Sequence, residues 1–167
     1  AAIVLDQCTS VNLEHNQASE LSGGRGGYDY QAGPSAPDGY GGSVYGLKLG
    51  GGGQYTVEQF RVETLSPGRA ANYSQNYTGK AGDAHGIWAT AVADLNIHGA
   101  NLLDMRATEG VGGAKSAGSG SSSWGMYLSE ITGLSLENIL IATLREGQGG
   151  EITNDNPFAE HGTSTCL

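Results

Sequence analysis

The chain has 167 residues, of which 29 are glycine and only 15% are charged, and its formal net charge is −9 with 8 lysines plus arginines. That length suits a single domain, and so much glycine belongs in turns and loops. The scarcity of cations excludes a nucleic-acid backbone as partner, and without a long apolar or basic amphipathic run no membrane insertion is expected.

Taken in chain order, the sequence repeats. The start at Ala1-Ala2 is read as a mature N-terminus exposed by processing. An apolar strand, Ala2-Ile3-Val4-Leu5, leads into the alternating Val11-Asn12-Leu13-Glu14. A further strand follows over about residues 16–21, and then the glycine-rich run that opens at Gly23. The second copy reads Tyr45-Gly46-Leu47-Lys48-Leu49, Tyr55-Thr56-Val57-Glu58, Leu65 and Pro67-Gly68. The third has His85-Gly86-Ile87-Trp88, Leu95-Asn96-Ile97-His98, Met105 and the run at Gly110. The fourth has Trp124-Gly125-Met126-Tyr127-Leu128, Leu134-Ser135-Leu136-Glu137, Leu144 and the run at Gly147.

The copies align on columns such as Val11/Tyr55/Leu95/Leu134, at spacings of 44, 40 and 39. Ile3/Leu47/Ile87/Met126 and Leu5/Leu49/Ala89/Leu128 follow the same register, as do Leu13/Val57/Ile97/Leu136, Ala18/Val62/Leu102/Ile141 and Leu21/Leu65/Met105/Leu144. Period-two alternation marks strands with one buried face. One copy alone cannot bury that face, but parallel stacking of copies can. The expected fold is therefore all-β: a short right-handed parallel β-helix of about four coils with long glycine-rich loops. Its single domain, 1–167, divides into coils 1–43, 44–84, 85–123 and 124–167. A β-sandwich or jelly roll is the alternative, which the long intervals between strands of equal polarity fit less well.

Gly86-Ile87-Trp88 through Leu95-Asn96-Ile97-His98, and Gly125-Met126-Tyr127-Leu128 through Leu134-Ser135-Leu136-Glu137-Asn138, resemble the coil repeat of pectate-lyase-like right-handed β-helix proteins. The likeness covers about half of the chain and implies a fold. That family spans polysaccharide lyases, epimerases, phage tailspikes and adhesins, so it implies no single activity.

Catalytic chemistry finds little footing. The outward column Glu14, Glu58, His98, Glu137 is read as a solvated acidic strip, with a calcium seat as the sharper alternative. Glu58 and Glu137 lie two coils apart on an open face, unlike a glycosidase pair. Arg61 and Arg106 stand singly, and His15, His85, His98 and His161 are read as surface or loop residues. Gly50–Gly53 lacks the Lys-Ser/Thr of a phosphate loop and is read as a wide turn. No enzyme activity, metal or cofactor is expected.

The chain is instead expected to be a secreted structural subunit that stacks head to tail into a filament, its partners being copies of itself and glycans. A copy placed after residue 167 carries its Val11 44 positions beyond Leu134, the spacing between the first two copies. Cys8 and Cys166 are expected to bond between subunits, because coils one and four lie about 14 Å apart and a disulfide needs Cα atoms within about 7 Å. A tail returning along the stack is the alternative. Asn72 and Asn76 head glycosylation triplets. Tyr28, Tyr30, Tyr40, Tyr73 and Tyr77 are candidate contact residues in the loops. The other functions open are a carbohydrate-binding or adhesin module and, third, a polysaccharide-active enzyme or viral spike fragment.

Overall fold

A computed structural model describes residues 1–26, 39–70, 80–110, 119–148 and 164–165. Strand β1 (Ile3–Asp6), β2 (Ser10–Glu14) and β3 (Gln17–Ser22) form the first coil. The second coil holds β4 (Val44–Gly50), β5 (Gln54–Glu58) and β6 (Arg61–Ser66), and the third β7 (Ala84–Thr90), β8 (Asp94–His98) and β9 (Asn101–Arg106). The fourth holds β10 (Ser123–Ser129), β11 (Gly133–Glu137) and β12 (Leu140–Arg145), and β13 (Ser164–Thr165) follows. The strands build three sheets: sheet A in the order β1-β4-β7-β10-β13, sheet B in the order β2-β5-β8-β11, and sheet C in the order β3-β6-β9-β12. Every pairing is parallel, which makes the molecule a β-solenoid and rules out the antiparallel sandwich. The repeat columns are the observed register: Val11 lies opposite Tyr55, Tyr55 opposite Leu95 and Leu95 opposite Leu134.

The corners explain how a coil turns without tight hairpins. Gln7, Gly51, Ala91 and Glu130 all have φ between 51° and 58° at the corner from sheet A to sheet B. His15, Gln59, Gly99 and Asn138 take positive φ at the corner from B to C, and Glu20, Thr64, Asp104 and Thr143 take it within sheet C. This left-handed conformation costs an ordinary residue about 1–2 kcal/mol. Hydrogen bonds along the solenoid hold it in place. Gln7 N donates to Gly50 O (2.8 Å), Gly51 N to Thr90 O (2.9 Å) and Ala91 N to Ser129 O (3.0 Å), and the B-to-C corner repeats the pattern.

The core runs up the middle of the stack. Leu47, Leu49, Val57, Val62, Ile87 and Leu102 are among the side chains fully enclosed by coils two and three. Sheets A and C approach closely where glycine recurs in sheet A. A Cβ on Gly46 would lie 2.6 Å from Gly86 O and 2.6 Å from Val62 Cγ2, and one on Gly86 would lie 2.5 Å from Gly125 O. Neither position admits a side chain. Gly50–Gly53 is a corner, as expected, and its composition has a packing reason. The Tyr55 ring is fully buried beneath it, donating from Oη to Gly51 O (2.9 Å) and accepting from Cys8 N (3.2 Å). Burial pushes the pKa of that phenol up. The corresponding corner of coil three replaces Gly52 with Val92 and Tyr55 with Leu95, dividing the volume differently.

Candidate functional surfaces

Three surfaces carry chemistry, and the two end faces come first. In coils two and three the inward columns are sealed above and below, whereas in coils one and four most are not, Ala18 and Met126 being buried. Ile3, Leu5, Val11, Leu13 and Leu21 at one end are only partly buried, as are Leu128, Leu136, Ile141 and Leu144 at the other. Leu134 is 50% exposed and Leu140 51%. Outside the core, Val4 of β1 is 57% exposed at the first end, in register with Lys48, Trp88 and Tyr127. The outer edges of β2, β3, β11 and β12 carry no strand partner among the described residues.

Strand β13 modifies the coil-four end. Ser164 and Thr165 pair in parallel with Ser123 and Trp124, starting a fifth level on sheet A. The rest of β10, from Met126 to Ser129, corresponds in the stack to the four positions that β1 pairs, Leu47–Gly50. That stretch has no partner on its outer side among the described residues.

The second surface is the outer face of sheet B. Glu14, Glu58, His98 and Glu137 stand in one register column. His98 Nδ1 lies 3.1 Å from Glu137 Oε2, and Asn12 Nδ2 donates to Glu14 Oε1 at 2.5 Å. The expected column therefore exists, with His98 separating Glu58 from Glu137. Among the described residues no group of three or more His, Cys, Asp or Glu side chains converges as a metal site would. Arg61 and Arg106 do not stand alone: they pair with Glu63 and Asp104, two residues away on their own strands. The Arg106 guanidinium holds the Asp104 carboxyl below the usual carboxylate range.

The third surface is the outer face of sheet A, which sequence reasoning missed. Tyr45, His85 and Trp124 share one column, and Lys48, Trp88 and Tyr127 the next. The rings of Tyr45 and His85 lie parallel with centroids 4.8 Å apart, those of His85 and Trp124 at 6.4 Å, and those of Trp88 and Tyr127 at 6.0 Å. Edge contacts tie the two columns together, Tyr45 to Trp88 at 6.2 Å and Trp124 to Tyr127 at 5.8 Å. Lys48 Nζ sits 5.0 Å from the Trp88 centroid and 5.1 Å from that of Tyr45, a cation–π arrangement. The signal was available in the sequence: residues 45, 85 and 124 recur at 40 and 39, the spacings of the core columns.

His85 corrects the expectation of a surface or loop histidine. It lies within β7, is 8% exposed, and its buried Nδ1 has no hydrogen-bond partner among the described residues. Desolvation lowers its pKa to about 4, with Asp83 pulling weakly the other way, so the ring is a neutral member of the stack.

Comparison with known proteins finds no matching family model, no matching curated protein and no matching solved structure. The surfaces must therefore be read on their own chemistry. His15 is exposed at its corner and His98 is exposed on β8. Cys8 is a free, half-buried thiol in the corner column of Gly52, Val92 and Ile131, packed against the core. Tyr40 is 73% exposed beside β4. Cys166, Asn72, Asn76, Tyr28, Tyr30, Tyr73, Tyr77 and His161 lie outside the described residues.

Proposed function

We propose that this chain is an extracellular structural subunit that assembles head to tail, the first coil of one copy stacking on the fourth coil of another. The observation that carries the reading is that, among the described residues, β1, β2 and β3 at one end and β11, β12 and the Met126–Ser129 stretch at the other have no outer strand partner, over apolar columns that are mostly half-exposed and in the same register. In such a join Val11 of one copy lies over Leu134 of its neighbour, Leu13 over Leu136, and Val4 over Tyr127. Each is the contact that the same column already makes inside the chain. Burial of apolar surface drives the association at about 25 cal/mol per Å² before its entropic cost. Because the two faces differ, the contact is heterologous and does not close on itself. The extracellular setting rests on the triplets at Asn72 and Asn76 in the sequence.

Cys8 packs against the core and in the join would meet Ile131 of the neighbour, while Cys166 lies outside the described residues; the stacking reading rests on the strands and apolar columns rather than on a disulfide. A charge on the end face tests the reading. Leu134→Arg should abolish self-association while the monomer keeps its strand signal in circular dichroism, and reducing agent should leave wild-type assembly unchanged. Equal assembly of wild type and Leu134→Arg would refute stacking by this face.

A further inference from the structure

The sheet B column acquires a new arrangement in the proposed join. Within one copy the order is Glu14, Glu58, His98, Glu137, so only Glu14 and Glu58 are adjacent carboxylates, while Glu137 rests against His98. Stacking sets Glu137 of one copy next to Glu14 of the following copy, at the strand spacing of about 4.8 Å. The column then reads His98, Glu137, Glu14, Glu58, His98 across the boundary, three consecutive carboxylates between two histidines.

We infer that self-association of this chain is proton-gated, with Glu137 of one copy and Glu14 of the next as the opposed pair at the join. The inference rests on the head-to-tail reading above and adds its regulation. Like charges directly opposite on neighbouring strands destabilise the pairing. The groups facing the pair are few. Glu14 meets the Asn12 amide on its own strand and Glu58 on β5, with His15 following at the corner; Glu137 meets His98 on β8. No lysine or arginine of sheet B answers the three carboxylates, since β2, β5, β8 and β11 contain neither. Among the described strands of sheet B the boundary thus carries negative charge with no cationic side chain to answer it. Neutralising one of the opposed carboxylates relieves that repulsion in the joined state, so joining is linked to proton uptake.

The charges are exposed, so the effect is modest: about three- to tenfold in the association constant between pH 7 and pH 5 at low salt. High salt flattens it. The test is sedimentation velocity on the full chain at pH 7 and pH 5, with Glu14→Gln, Glu137→Gln and, as a control of equal charge change, Glu109→Gln on the exposed stem of the third loop. Wild type and Glu109→Gln should associate more tightly at pH 5. The Glu14 and Glu137 variants should associate more tightly than wild type at pH 7 and respond less to pH. Assembly of wild type without pH dependence, or an identical response in all four proteins, would overturn proton gating and leave stacking intact. Failure of every protein to associate at either pH and in high salt would remove the head-to-tail reading and the gate with it.

Discussion

The inner and outer coils are made of the same columns and have different fates. Leu95 in coil three and Leu134 in coil four occupy one register position, yet Leu95 is fully buried and Leu134 is 50% exposed. The same contrast separates Leu49 in coil two, fully buried, from Leu5 in coil one, its partly buried partner in the register. For most core columns, then, burial follows the number of coils stacked on either side rather than residue type, with Ala18 and Met126 as buried exceptions in the terminal coils. A solenoid stabilised by nearest-neighbour contacts should lose most from damage at its middle and least at its ends.

The largest expected effect tests that contrast within one column. Leu95→Ala removes a side chain enclosed on both sides and should cost about 2–5 kcal/mol in denaturant unfolding. Leu134→Ala in the monomer should cost about 1 kcal/mol, since half of its surface already meets water. Equal losses would mean that the ends are as well packed as the middle.

Next comes a pH effect confined to the inner part of sheet A. His85 is neutral in the fold with a pKa of about 4, against an ordinary value near 6.5. Its contribution is full above pH 6.5 and is lost as pH falls toward 4, because the unfolded chain binds the proton more readily. The loss is on the order of 3 kcal/mol at its full extent. His85→Phe keeps a ring between Tyr45 and Trp124 and should flatten the stability curve over that window. An unchanged curve would show that the imidazole is not the titrating group.

The smallest effect sharpens the account of the corners. Thr64, β-branched and held at φ 52°, is the inner-coil counterpart of Thr143 at φ 58°. Thr64→Asn places a residue that tolerates the left-handed region there and should raise stability by about 0.5–1 kcal/mol. A loss would mean that the threonine side chain contributes more than its backbone costs.

The fold was legible because its core columns are spaced like the coils that they build. Leu13, Val57, Ile97 and Leu136 alternate with polar neighbours, and their intervals match the pairing of β2, β5, β8 and β11. The corners were not legible. Gln7, Ala91 and Glu130 take a conformation usually signalled by glycine, and what stabilises them is a hydrogen-bond ladder between coils that no single segment reveals. The aromatic columns are less legible for another reason: Tyr45, Trp88, Trp124 and Tyr127 face outward, in columns three residues apart, from the same strands whose inward residues mark the repeat. The burial of His85 is not legible in its own strand, because it comes from the rings of neighbouring coils.

The most direct test of the central claim is the axial repeat of assemblies formed by the full chain at high concentration, measured by electron microscopy with helical averaging. Head-to-tail stacking predicts unbranched filaments in which each copy advances by four strand spacings, about 19 Å, with a 4.8 Å spacing along the axis. A chain that stays monomeric at all concentrations, or associates side by side without that repeat, would contradict it.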